Sequence, residues 1–364
     1  MKQTRVNDIH RFGQSIWLDF FDRSLMDSGR LESHIEIDGV TGITANPSIF
    51  EKAILNSSDY NADIIEFSKV ARSNEQIFYR LAVKDIRRAA DTLKTVYDKT
   101  DGNDGFISIE VSPRLAYDTQ GTINQARELW EAIDRRNVMI KIPGTKEGLP
   151  AIRKCISEGI NINVTLLFGL HRYLEVTNAY IAGLEQRVEV DQSIDQISSV
   201  ASFFLSRIDV LIDPLLDAKG LTKLKGEVSI ASARKAYEIY KQVFNTERFR
   251  NLEVKGAKRQ RVLWASTSSK DPSFRDVRYV EALIGPQTIN TIPLETLEAF
   301  NDHGLAESRL EDELDKATNV LAQLKEKGID INTITQKLEE EGIKKFNKAY
   351  DNLLEAIGKR KQVS

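Results

Sequence analysis

About eight times along this chain a short, largely apolar run gives way to a segment with helical periodicity, and no Gly/Ser/Pro-rich linker interrupts the series. Apolar strands separated by crossover helices belong to a parallel sheet with both faces covered. Eight such units in roughly 250 residues suit a closed (β/α)8 barrel of the TIM type better than an open doubly wound sheet. No GxGxxG follows the first strand, which counts against a dinucleotide-binding version. The sequence therefore predicts an α/β fold: one (β/α)8 barrel domain over residues 1–364, with 294–364 as a C-terminal helical extension packed on the barrel.

The expected strands are Ser15–Phe20, Gly39–Pro47, Phe106–Val111, Asn137–Pro143, Ile160–Phe168, Ser198–Arg207, Arg261–Ser268 and a last one within Tyr279–Pro293. Helices are expected over Ser24–Ser33, Asn74–Lys99, Thr122–Arg136, Gly148–Gly159, Leu170–Arg187 and Ala231–Phe244. The clearest is Asn74–Lys99, where Ile77, Phe78, Leu81, Ile86, Ala89 and Leu93 recur at helical spacing. The cluster Asp101–Gly105 makes a turn.

The balance of 51 basic against 54 acidic residues gives a formal charge of −3, so charge implies neither a nucleic-acid nor a membrane partner. The basic run Lys255, Lys258, Arg259 and Arg261 reads as a solvated connector. No stretch approaches the roughly 18 apolar residues of a membrane span, and the first residues lack the apolar core of a secretory signal. Cys155 is the only cysteine, which excludes an intramolecular disulfide framework and fits a reducing cytosol. His10, His34, His171 and His303 are dispersed without metal-ligand spacing, so no metal is expected. These features point to a soluble, cytoplasmic chain acting on small molecules, as a monomer or a homodimer.

The strand NVMIKIP carries one lysine, Lys141. Val138, Ile140 and Ile142 share one side, and Met139 and Lys141 share the other, because strand side chains alternate. Read alone, Lys141 fits a strand-edge lysine reaching water. Its company changes that reading. If the more apolar side of each strand packs on helices, the barrel axis receives Asp19, Thr44, Asn46, Ser108, Glu110, Lys141, Asn163, Thr165, Ser266 and Ser268. Each lies toward the C-terminal half of its strand, the end at which barrel enzymes carry their chemistry. A purely structural barrel fills those layers with branched apolar residues.

These residue types allow one chemistry in particular. A desolvated lysine amine attacks a ketone to form a Schiff base. Two carboxyl groups, Asp19 and Glu110, can donate and accept protons. Amides and hydroxyls can orient a polyol. The protonated imine is itself an electron sink for cleaving the adjacent carbon–carbon bond, so no cofactor is needed.

The motifs GVTGITANPSIF, SIEVSPRLAYDT, VMIKIPGTKEGLPAI and NINVTLLF occur in the order of the transaldolase family, and the chain resembles that family from about Ser15 to Leu297. The tail sequence EEGIKKFNKAYDNLL is similar to the family's last helix, and the overall pattern resembles its longer bacterial subfamily. The resemblance implies that Lys141 forms a Schiff base with a ketose phosphate and that Asp19 takes the C4 hydroxyl proton. Glu110, acting through a water near Thr165, would shuttle protons during carbinolamine formation and dehydration. Asn46, Asn163 and Ser202 would bind the dihydroxyacetone hydroxyls, supported by Thr44 and Ser108, and Arg207 would hold the phosphate. The implied donors are fructose 6-phosphate and sedoheptulose 7-phosphate; the acceptors are erythrose 4-phosphate and glyceraldehyde 3-phosphate. Many transaldolases carry a second phosphate-binding arginine two residues after the serine matching Ser266. Here that position is Ser268, and Lys270 is the nearest replacement for the charge.

Two other readings stay open on sequence alone. One is a Schiff-base aldolase of the same fold that releases free dihydroxyacetone. The other is a non-catalytic barrel that binds sugar phosphates or partners, against which the intact set Lys141, Asp19 and Glu110 argues. Gly144–Gly148, after the lysine strand, resembles a phosphate cradle but lacks the full GxxxxGK[ST] pattern.

Overall fold

The structure is a computed structural model that describes residues 4–361. Its centre is a closed barrel of eight parallel strands in sequence order. They are β1 (Gln14–Leu18), β2 (Val40–Thr44), β3 (Phe106–Glu110), β4 (Val138–Pro143), β5 (Ile162–Leu167), β6 (Ser199–Phe204), β7 (Arg261–Ala265) and β8 (Thr288–Ile292). Closure leaves no strand edge unpaired, because β1 pairs with both β2 and β8. The barrel follows from sequence signals that agree with one another. The helix Asn74–Lys99 has the predicted bounds; Ser73 caps it by accepting from the Gln76 N–H at 3.2 Å. Gly159, with φ of +90°, ends the segment after the helix Gly148–Ser157 as a left-handed residue.

The N-terminal end of the barrel is closed by a polar plug. Asp104 accepts from Ser15 Oγ at 2.6 Å and from Trp17 Nε1 at 2.9 Å, and Arg261 pairs with it at 3.1 Å. Trp17 lies flat over Gly42, where a Cβ would sit 2.6 Å from the indole, so only glycine fits. Two residues of the basic connector are tied into the protein as well: Lys258 donates to Asp101 O at 2.6 Å and Arg259 pairs with Glu253 at 2.9 Å.

Several expected boundaries shift for identifiable reasons. The single helix expected over Ser24–Ser33 is two, Arg23–Asp27 and Arg30–Ile37, because Gly29 between them is left-handed at φ +72°. β2 stops at Thr44, and Asn46 instead caps the helix Pro47–Asn56, accepting from the Ile49 N–H at 3.0 Å. β6 stops at Phe204; Arg207 sits in the first turn of a helix, Ser206–Ala218, whose interior Pro214 obscured its periodicity. β7 stops at Ala265 because Ser266 adopts φ +58°. Within Tyr279–Pro293 only Thr288–Ile292 is a strand, and Tyr279 belongs to the short helix Arg278–Ala282. The turn after β4 is a packing element: Thr145 Oγ1 donates to Ala116 O at 2.6 Å, and a Cβ on Gly148 would lie 2.1 Å from Pro143 O.

Beyond β8 come three helices, Leu294–His303, Leu314–Glu326 and Ile331–Arg360, with irregular chain over 304–313. The last, 30 residues long, lies along the helices Pro47–Asn56 and Asn74–Lys99. It is fastened by Arg114–Asp351 at 2.6 Å, by Tyr350 Oη donating to Glu75 at 2.6 Å, and by Arg360 donating to Asn61 at 2.8 Å. Among the described residues, no helix is long and apolar enough to cross a membrane.

Candidate active site

Lys141 and Glu110 are register partners on β4 and β3. Both are buried. Lys141 Nζ stands 3.5 Å from Glu110 Oε2 and donates to Ala45 O at 3.2 Å. Burial pushes the Glu110 carboxyl up to about 7, although Lys141 pulls it down. A carboxyl balanced near neutrality beside an amine is suited to passing a proton both ways.

Asp19 lies one residue past β1, where its N–H is held by Ile292 O at 2.8 Å. Its carboxylate accepts from Thr44 Oγ1 at 3.0 Å, and Thr44 meets Thr291 Oγ1 at 2.8 Å. Burial raises the Asp19 pKa, while Lys141 and the Thr44 hydrogen bond oppose the rise. A second polar line runs from β6 through β5 to β3: Ser202 Oγ donates to Asn163 Oδ1 at 2.7 Å, and Asn163 Nδ2 donates to Ser108 Oγ at 3.0 Å.

Thr165 is aimed by an irregularity. The β5–β6 register shifts between Val164 and Leu167, and Leu166 there has φ +58°. Bulges of this kind re-aim side chains next to active sites. The buried Thr165 hydroxyl has no hydrogen-bond partner among the described residues.

Most of the polar groups of the site open onto a cavity of about 790 Å³ at the C-terminal end of the barrel. Asp19, Thr44, Asn46, Lys141, Thr165, Ser202, Arg207, Ser266, Ser268 and Lys270 all line it. Ser108, Glu110 and Asn163 do not; they form a layer beneath the floor. Arg207, half-buried against Phe204, has its pKa lowered by burial and partly restored by Asp19. It forms no salt bridge among the described residues. Ser266 meets Ser206 Oγ at 2.8 Å, and the exposed Lys270 donates to Ser268 at 2.6 Å. Arg207 and Lys270 thus present two cations to one cavity without paired carboxylates.

A family model described as Transaldolase/Fructose-6-phosphate aldolase matches residues 16–357. The chain belongs to this family. It is 47% identical over 370 residues to the transaldolase of Trichodesmium erythraeum, with 98% of this chain and 97% of the relative covered. It is 46% identical to transaldolase 2 of a Nostoc species, with 98% of each covered. A transaldolase of Mycobacterium bovis is 43% identical over 348 residues, covering 94% of this chain and 93% of the relative. The chain is thus an enzyme of the transaldolase type.

Membership in the transaldolase family leaves the cavity's other walls to be read from the structure. Thr291, Phe204, Arg23, Lys52, Glu295 and Phe346 line it without having been singled out in the sequence. For Thr291 a signal existed, the alternation in Thr288–Ile292. Phe346 reaches the cavity from the C-terminal helix, and nothing in its local sequence marks that placement.

Proposed function

We propose that this enzyme transfers a dihydroxyacetone unit from a ketose phosphate to an aldose phosphate through a Schiff base on Lys141. The observation that carries this is the buried Lys141 amine at the cavity floor, 3.5 Å from Glu110. Glu110 takes a proton from the Lys141 ammonium, and the amine adds to C2 of the ketose. Glu110 returns the proton as the carbinolamine hydroxyl leaves as water, giving the iminium. Asp19 removes the C4 hydroxyl proton, the C3–C4 bond breaks, and its electrons pass into the iminium to give an enamine. An aldose phosphate leaves. The acceptor's carbonyl carbon then bonds to C3, and Asp19 returns its proton to the new hydroxyl. Hydrolysis of the iminium frees the product and the lysine.

Thr165 holds the water that Glu110 uses, and its unpartnered hydroxyl supports that role. Asn46 and Ser202 meet the dihydroxyacetone hydroxyls from the cavity wall. Asn163, supported by Ser108, orients Ser202 from below, and Thr44 holds Asp19. Arg207, with Ser266 and Lys270 beside it, takes the phosphate. The donors are fructose 6-phosphate and sedoheptulose 7-phosphate, and the acceptors glyceraldehyde 3-phosphate and erythrose 4-phosphate, in the non-oxidative pentose phosphate pathway of the cytoplasm. No nucleic acid or membrane takes part, and the chain acts as one domain, as a monomer or a homodimer.

Turnover of fructose 6-phosphate with and without erythrose 4-phosphate tests transfer against simple cleavage. Strict dependence on the added aldose supports transfer. Catalytic release of free dihydroxyacetone in its absence identifies an aldolase.

A further inference from the structure

Behind Glu110, away from Lys141, lies a second cavity of about 10 Å³. That is room for about one water. Its walls include Glu110, Tyr79 from the helix Asn74–Lys99 and Tyr350 from the C-terminal helix. Apart from the Lys141 ammonium 3.5 Å from Oε2, neither carboxylate oxygen of Glu110 has a hydrogen-bond partner among the described residues. A buried carboxylate without such a partner is costly, and the cost falls when a polar group can reach it.

The two tyrosines are held by a network that continues to the outside. The Tyr79 hydroxyl, on the same cavity as Tyr350, donates to Gln125 Oε1 at 3.5 Å, which also accepts from the Ser112 N–H at 2.5 Å. Tyr350 donates to Glu75 at 2.6 Å, packs edge-on against Phe78 at 5.8 Å, and carries the Arg114 guanidinium 5.5 Å from its ring centre.

We propose that Tyr79 and Tyr350 are positioning residues for Glu110. Tyr79 reaches the carboxylate through a water in the small cavity, and Tyr350 fixes the Tyr79 hydroxyl. This inference rests on the proton-shuttling role given to Glu110 above. It gives the C-terminal helix a part in the chemistry: the helix delivers Tyr350 behind the floor of the site. The titratable groups facing Glu110 are Lys141 from β4, Asp19 after β1, and the two tyrosines, with Glu75 and Arg114 one step further out. Only the tyrosines approach from the side away from the substrate. Removing the Tyr79 hydroxyl leaves that side apolar, which disfavours the carboxylate and moves its titration to higher pH.

The test is the kcat pH profile of the wild type, Tyr79→Phe and Tyr350→Phe, with borohydride trapping at Lys141 and thermal unfolding measured on each. The expected result is folded variants that still trap substrate at Lys141. The acid limb of kcat moves up by roughly half to one pH unit in Tyr79→Phe and by less in Tyr350→Phe. A uniform loss of activity with an unmoved acid limb in Tyr79→Phe means that the pair only packs, and overturns the proposal. If Tyr350→Phe does not fold, Tyr79→Phe decides the matter alone. Absence of trapping in the wild type removes the Schiff-base reading itself, and this proposal with it. That outcome is separate from an unmoved acid limb in a protein that traps normally.

Discussion

Glu110 and Lys141 are direct neighbours across β3 and β4, and their charged ends meet 3.5 Å apart beneath the floor of the main cavity. Only the lysine reaches the cavity lining. Glu110 therefore stands beside Lys141 but off the cavity lining, and burial raises its carboxyl pKa.

That burial makes a pH prediction. The Glu110 carboxyl is raised from the model-compound value of 4.5 to about 7, because the interior disfavours its charged form. In the proposed mechanism Glu110 must be ionised to accept the Lys141 proton, so kcat is expected to fall as the pH drops through about 7 rather than through about 4.5. Glu110→Gln lowers kcat by about 10²–10⁴-fold and abolishes this acid limb. A pH profile of both proteins checks it.

The role proposed for Asp19 divides the reaction into two halves. Asp19→Asn leaves Lys141 able to form the imine but removes the base for the C4 hydroxyl. Borohydride then traps the uncleaved ketose phosphate on Lys141 in the variant and the three-carbon unit in the wild type. Intact mass distinguishes the two adducts.

Thr44 bridges Asp19 and Thr291. Thr44→Val keeps the shape and removes the hydrogen bond to a buried carboxylate, costing about 1–3 kcal/mol of stability. It also pushes the Asp19 carboxyl further up, since that hydrogen bond holds it down. Chemical denaturation checks the first effect, and an upward move of the pH dependence of kcat checks the second.

The proposed phosphate grip is asymmetric, with one half-buried guanidinium and one exposed ammonium on the cavity. Arg207→Ala raises KM for phosphorylated donors by about 10–100-fold, the scale of a charge-assisted hydrogen bond. Lys270→Ala raises it by less and leaves kcat unchanged. An unchanged KM in Lys270→Ala removes that lysine from the site.

Phe346 places the C-terminal helix at the cavity wall. Phe346→Ala costs about 3–5 kcal/mol as a core truncation. It is also expected to admit water to the proposed enamine, so that the ratio of released dihydroxyacetone to transferred unit rises. Product analysis at saturating acceptor reads that ratio.

The barrel was legible because its signals are local and repeated: apolar runs, amphipathic helices, and turns at Asp101–Gly105 and Gly159. The inward polar residues were legible because alternation within a strand is a two-residue rule. The strand bounds that shifted lie where backbone geometry departs from that rule, although all three residues concerned still line the cavity. Asn46 is a helix cap, Arg207 a first-turn residue, and Ser266 a left-handed residue at a strand end. Alternation places a side chain on a face but gives no depth: it set Glu110 on the axis beside Lys141, where it stands, and not its position behind the cavity lining. Phe346 and Tyr350 were beyond reach for another reason. Their place depends on how a 30-residue helix crosses a surface assembled from earlier parts of the chain.

The most direct measurement is borohydride reduction in the presence of fructose 6-phosphate, followed by intact mass and peptide mapping, with Lys141→Ala as the control. One reduced adduct per chain is expected, on the peptide containing Lys141, and none in the variant. A folded, active wild type that yields no adduct, or an adduct that persists in Lys141→Ala, contradicts the Schiff-base mechanism.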